Sequence, residues 1–380
     1  MIKNTCRVCQ QDLFEEPLLI YNNMPKSAQF LPDGNQVKTE KGMDIKVFQC
    51  AGCGLVQLNN APVFYYKEVI RAAAVSQEMH EFRTIQFNAW INKYSLQEKK
   101  ILEVGCGAGE YISMIPNRGV YVCGIEENQD SVDKCLNQGF DVEKGFIDNE
   151  KKILKNAPFD AFFMLNFLEH LVDPNATLKG IWSNLSDDAV GLVEVPNFDM
   201  ILRQNLFAEF ISDHLYYFTK DTFISTLNRN GFDVLECSEI WHDYSISAVV
   251  RKRKKTDLSS FYQAQQQLAY EIDLFLKKFP KDSVVIWGAG HQALAVMALT
   301  GLKGKIKYVV DSAEFKQNKY TPATHIPIVS PEMIKETSIE AVIVMAGSYS
   351  GEVVEIIFKE YGQTIKVAIL EGETLNILYR

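Results

Sequence analysis

An apolar run that breaks into alternating glycines and then resumes with helical periodicity dictates a strand, a tight turn and a helix. This chain carries that pattern twice. The first copy is "KKILEVGCGAGEYISMI", with Gly105, Gly107 and Gly109 in the turn and a helix expected from about Glu110. The second is "SVVIWGAGHQALAV" at 283 to 296, with Gly288, Gly290 and Ala293 in GxGxxA spacing. Glycine at such turns permits positive φ and lets the backbone come close to a bound group. Two strand-turn-helix units imply two parallel α/β sheets, and 380 residues at 47% hydrophobic content can bury two or three cores.

Charge and cysteine usage narrow the class. Lys plus Arg total 39 against 48 for Asp plus Glu, so a net charge of -9 disfavours non-specific attraction to nucleic acid. The basic cluster "RKRKK" at 251 to 255 follows the apolar "SISAVV" and reads as a solvated strand end. No charge-free apolar run reaches the roughly 20 residues that span a bilayer, and "MIKNTCRVCQ" lacks the apolar core of a signal peptide. A cytoplasmic chain with no membrane partner is expected. Its eight cysteines should then be reduced, and two CxxC pairs, Cys6 with Cys9 and Cys50 with Cys53, point to one closed tetrahedral zinc site. Four sulfurs leave no position for water, so the zinc would be structural. Cys106, Cys123, Cys135 and Cys237 are scattered and read as small core residues.

Acidic residues separate the two glycine turns in kind. Around the first, Glu103 sits two residues before Gly105, and "VYVCGIEEN" ends a second strand in Glu126, where a carboxylate can accept both hydroxyls of a ribose. "FDAFFMLNFLEHL" gives a third strand ending near Asn166, and "GLVEVPN" a fourth. This set resembles the class I S-adenosylmethionine (SAM)-dependent methyltransferase fold, over about residues 97 to 254. Around the second turn, Asp311 ends "KIKYVVD" about twenty residues on. Taken alone, that spacing is a dinucleotide fingerprint and suggests an NAD-dependent oxidoreductase.

The order of CxxC pairs, methyltransferase middle and second glycine turn resembles the three-domain sugar C-methyltransferases that act on nucleotide-linked deoxysugars. "NMPKSAQFL", "LNFLEHLVD", "EVPN" and "KQNKYTPATHIPI" carry the likeness, which covers nearly the full chain. It implies an α/β protein: a zinc-binding domain at 1–62, a helical connection at 63–96, a methyltransferase domain at 97–254, a linker helix at 255–280 and a Rossmann-like domain at 281–380. The resemblance implies that the last domain runs no dehydrogenase reaction and helps enclose the nucleotide sugar, with His291 able to touch a phosphate.

Methylating an aliphatic carbon requires removal of a proton next to a ketone, so a base must stand near the acceptor. The resemblance places functional histidines at His214, in "ISDHLYYF", and at His170, in "LEHL". His214 is expected to be the base, oriented by Asp213, with His170 positioning or protonating the sugar. Two tyrosines of the family pattern are absent here: Ile211 occupies one position, and the other falls near Arg71, which could hold a phosphate or carboxylate. Tyr216 or Tyr217 could supply a phenol instead. Methylation at sugar oxygen or nitrogen is the nearest alternative, since it needs less acid-base machinery.

Overall fold

The computed structural model describes residues 5–29, 31–68, 75–116, 119–362 and 364–378. Two compact units divide the chain, residues 1–254 and 255–380. Arg71 lies outside the described residues.

The first unit is built on two sheets. The larger runs in the order Phe232–Ile240, Ser245–Lys252, Leu185–Pro196, Phe159–Leu165, Lys100–Val104, Tyr121–Glu126, Asp141–Lys144. Its last five strands are parallel and the first two antiparallel. Parallel strands are covered on both faces, so they need continuous apolar runs rather than alternation. Ile101, Leu102, Phe162 and Phe163 accordingly have no exposed surface. Side-chain caps start the intervening helices where the chain leaves the sheet: Asn128 accepts from the backbone of Ser131, and Asp173 from Ala176 ahead of a proline. No helix among the described residues is long and apolar enough to cross a membrane.

The smaller sheet is antiparallel, ordered Leu19–Met24, Met43–Gln49, Val56–Leu58, Tyr216–Tyr217. Val56 pairs with Tyr217, so strand pairing stitches the N-terminal segment to a segment 161 residues on. Cys6, Val8, Leu13, Cys50 and Leu55 share one core with Leu102, Phe218 and Phe223. The boundary expected at residue 62 therefore falls inside a single compact unit. The basic cluster ends its strand as expected, with Arg253 on Asp233 and Lys254 on Asp188 at the surface.

The second unit holds a seven-stranded sheet ordered Lys319–Tyr320, Pro327–Val329, Val309–Val310, Val284–Trp287, Ala341–Val344, Lys366–Glu371, Thr374–Leu378. The five central strands are parallel. Helix Ser259–Leu276, expected as a linker, instead packs here: Leu268, Ile272 and Phe275 fall on one face and join Ile286, Met297 and Ile343 in the core. Its apolar stripe at i, i+4 and i+7 is what a core-facing helix requires.

Gly191 lies opposite Phe162 in the central sheet, and a Cβ there would stand 2.1 Å from the Phe162 ring. Gly191→Ala is expected to cost about 1–3 kcal/mol through overpacking between neighbouring strands, read as a lowered urea midpoint with an unchanged slope.

Candidate functional site

The first glycine turn leaves the Lys100–Val104 strand with φ of 72°, 54° and 85° at Gly105, Gly107 and Gly109. A side chain at Gly109 would meet the Phe140 ring at 2.7 Å, so glycine is required by space as well as by backbone. Glu126 fastens the turn from the next strand. One carboxylate oxygen accepts from the Gly107 amide at 3.0 Å and the other from the Asn128 amide at 2.9 Å, and the residue is buried. Glu103, also buried, ends the strand before the turn. A small pocket opens beside these groups, lined by Gly105, Glu126, Lys67, Phe146 and Phe167. The Lys67 ammonium stands 5.1 Å from the Phe146 ring centroid, and Phe146 packs edge-on against Phe167. Neither Lys67 nor Phe146 belongs to the motifs that mark this region in the sequence.

A second pocket, of about 90 Å³, is lined by Tyr65, Tyr66, Asn166, His170, Asp213 and His214. Asn166 turns the chain at the end of the Phe159–Leu165 strand with φ of 48°, and its amide donates to the Glu194 carbonyl. A short helical turn, Leu168–His170, follows. There the His170 and His214 rings meet edge to face, with centroids 4.8 Å apart. The two segments are locked by the Leu215 amide, which donates to the Glu169 carbonyl at 2.8 Å.

Asp213 does not orient His214 as the sequence suggested. Its carboxylate accepts from the Tyr65 hydroxyl at 2.6 Å and the Ala28 amide at 2.8 Å, while its backbone carbonyl stands 2.9 Å from His170 Nδ1. The acid is held by the N-terminal segment, and the ring it positions, through the main chain, is His170. Tyr65 thus brings a phenol to this pocket that sequence reasoning missed. Tyr216, by contrast, is buried in the core with its hydroxyl on the Val172 carbonyl and does not line the pocket. Tyr217 packs against His214, its hydroxyl bonded to the Ile211 backbone.

Burial sets the charge state of this cluster. It pushes His214 down to about 3, with His170 adding to the shift. His170 is lowered by burial too, against the opposing pull of the Asp213 carbonyl. Burial raises the Glu169 carboxyl to about 8 and the Tyr65 phenol to about 12, the latter helped by Asp213. Removing water disfavours every charged form, so at neutral pH the site offers two neutral imidazoles and a protonated acid.

A third group was also illegible in sequence. Arg83 and Glu194, both fully buried, form an ion pair bridged by Gln86, and the guanidinium lies over the rings of Phe82 and Tyr111. The four N-terminal cysteines do converge: Cys6 and Cys53 sulfurs stand 3.7 Å apart, Cys9 and Cys50 3.3 Å, and all four lie within 4.8 Å of one another. Backbone amides of Cys9, Gly52 and Cys53 point at these sulfurs. Of the remaining cysteines, Cys106, Cys123 and Cys135 are buried.

In the second unit the glycine turn is closed by Asp311, which accepts from the amides of Ala289 and Ala313 and from the Lys316 ammonium at 2.8 to 2.9 Å. Despite burial, those donors keep its carboxyl below the usual range. A cleft of about 540 Å³ opens there, lined among others by Gly288, His291, Lys316 and Gly347.

Residues 78–237, which hold the first glycine turn and the histidine pair, match the model of a methyltransferase domain, and residues 251–365 match that of a C-methyltransferase C-terminal domain. The protein is a SAM-dependent methyltransferase. This methyltransferase is 20% identical to the C-methyltransferase NovU of Streptomyces niveus over 98% of its own length and 96% of the relative's. It is 32% identical to a ubiquinone biosynthesis O-methyltransferase of Pseudomonas entomophila, over 27% of this chain and 47% of that one. A SAM-dependent methyltransferase structure from Clostridium acetobutylicum aligns at a TM-score of 0.38 and 11% identity, over 46% of this chain and 92% of that one. One from Aquifex aeolicus aligns at 0.36 and 16%, over 45% and 92%.

The imidazole signals of His170 and His214 should hold their neutral-form shifts as pH falls from 8 to 6. A free imidazole would begin to protonate near 6.5 over that range. NMR of the ring protons measures this directly.

Proposed function

We propose that the methyltransferase places a methyl group on a carbon of a nucleotide-linked sugar, next to a ketone. The observation that carries this reading is the half-buried pair of imidazoles facing each other in the pocket, because a carbon next to a ketone becomes a nucleophile only once a base removes its proton. When bound, SAM supplies a sulfonium-activated methyl group. Glu126 and the Gly105–Gly109 turn would hold its ribose and methionine ends, with Phe146 against the adenine, since Gly105, Glu126 and Phe146 line one small pocket. Glu103 and Asn166 stand at the strand ends that face the same edge of the sheet.

His214 would take the proton from the acceptor carbon. His170, whose ring is fixed by the Asp213 carbonyl, would position or protonate the sugar oxygen, and Tyr65 offers a phenol beside them. The full-length likeness to a C-methyltransferase supports the carbon reading, while the partial likeness to O-methyltransferases favours transfer to oxygen as the second. Such a transfer would make His214 dispensable.

The N-terminal cysteines fit zinc. A Zn–S bond of about 2.3 Å places tetrahedral sulfurs about 3.8 Å apart, close to the observed 3.3 and 3.7 Å. The ion would be structural, with Cys6, Cys9, Cys50 and Cys53 filling its shell. In the second unit, the strand order and the cleft beside His291 and Lys316 suit a Rossmann-like domain that receives a phosphate, and Asp311 is already spent on holding the turn. The chain's place in the cytoplasm belongs to the same reading.

Three outcomes are expected. Protein purified without chelators should carry one zinc per chain by metal analysis, and less than half an equivalent would remove the cysteine site. Glu126→Ala should weaken SAM binding tenfold or more in calorimetry, and Asp311→Ala should leave it unchanged. Methyl-labelled SAM offered with a panel of keto-sugar nucleotides should identify the acceptor. On it, His214→Ala and His214→Gln should each lose about two to four powers of ten in turnover at saturating SAM, with little change in SAM affinity. Near-parental turnover in both variants would transfer the weight to oxygen methylation.

A further inference from the structure

Besides the cysteines, the described residues bring together a second set of metal-ligating atoms. One donor atom each from Glu169, His170 and His214 lies within 4.8 Å of the others. Glu169 is 1% exposed, and its Oε2 has no hydrogen-bond partner. A buried carboxyl with an unmet oxygen is costly, which asks what that oxygen is for. Its Oε1 stands 3.8 Å from His170 Nε2. That separation is too long for a hydrogen bond, yet it fits two ligands of one ion, since donors about 2.1 Å from a metal can be up to about 4.2 Å apart.

His170 is prepared for the same role. Its Nδ1 is turned to the Asp213 carbonyl at 2.9 Å, so the neutral ring keeps its lone pair on Nε2, toward Glu169. A backbone carbonyl on the far nitrogen is how metal-bound histidines are usually oriented. His214 closes the third side edge-on, and the bond from Leu215 to the Glu169 carbonyl fixes the two segments relative to each other. Two imidazoles and a carboxyl that releases its proton to solvent on binding suit first-row divalent cations. Unlike the four-sulfur cluster, these three side chains leave coordination positions that open into the 90 Å³ pocket.

We propose that Glu169, His170 and His214 form a binding site for a divalent transition-metal cation that overlaps the catalytic base. The consequence for activity rests on the reading of His214 as that base. A neutral imidazole has one free lone pair, which can receive either a proton or a metal. Bound cation therefore blocks proton removal, and free cation acts as an inhibitor that competes with use of the acceptor.

The test uses full-length protein whose cysteine site is already filled with zinc, titrated with Co²⁺ alone. One further equivalent should bind, visible as d–d absorption without the thiolate charge-transfer band that exchange into the cysteine site would give. Methyl transfer should fall in step with occupancy. Glu169→Gln should weaken Co²⁺ binding at least tenfold and raise the inhibitory concentration equally, each measured against its own metal-free rate. In the parent protein, paramagnetic shifts should appear on the ring protons of both His170 and His214, a readout that needs no variant to fold. Absence of a second equivalent, or binding that leaves both rings unshifted, overturns the site. Shifted rings with methyl transfer that rises on Co²⁺ binding would keep the site but overturn the block, and with it the role of His214 as a free base.

Discussion

Asp213 is tied from two directions, and the candidate active site depends on both ties. Its carboxylate is fixed by Tyr65 and Ala28 from the N-terminal segment, and its carbonyl fixes His170 from the methyltransferase sheet. Breaking the first set would leave the buried carboxyl with only the Ser212 hydroxyl, at 3.4 Å, to donate to it among the described residues. The second set determines which nitrogen of His170 carries its lone pair. Through this one residue the N-terminal segment, Tyr65 and the imidazole pair are joined by hydrogen bonds.

Carboxylates do the same work at both glycine turns. Glu126 spans Gly107 and Asn128 in the first unit; Asp311 spans Ala289 and Ala313 in the second. Each acid stands at the end of the neighbouring parallel strand and uses backbone amides to hold a turn whose positive φ glycine supplies. The difference lies in what remains. Glu126 sits beside a small aromatic pocket, whereas Asp311 is paired with Lys316.

Much of this was legible in the chain. Apolar runs, alternating glycines and paired cysteines are local signals, and they located the strands around Gly105 and Gly288 and the approach of the four cysteines, whereas the helix expected from Glu110 is only the short turn Ile112–Met114. Contacts distant in sequence were not legible. Tyr65 meets Asp213 across 148 residues, and no periodicity marks it. The pairing of Val56 with Tyr217 decides that Tyr216 faces the core, because neighbouring residues of a strand point to opposite faces. Helix Ser259–Leu276 looked like a connector because it lies between two motifs, although its own apolar stripe already indicated a core. Glu169 carries no signal in the sequence, and only its burial shows it to be unusual.

A pair of imidazoles lining the pocket is what proton removal from a carbon acceptor would use. Transfer from SAM carrying a carbon-13 methyl group, followed by NMR of the product made from an acceptor labelled in its sugar ring, reads the bond that forms. One-bond coupling between the methyl carbon and a ring carbon adjacent to the carbonyl is the predicted result. A methyl signal with no such coupling, bonded to oxygen or nitrogen, would contradict it.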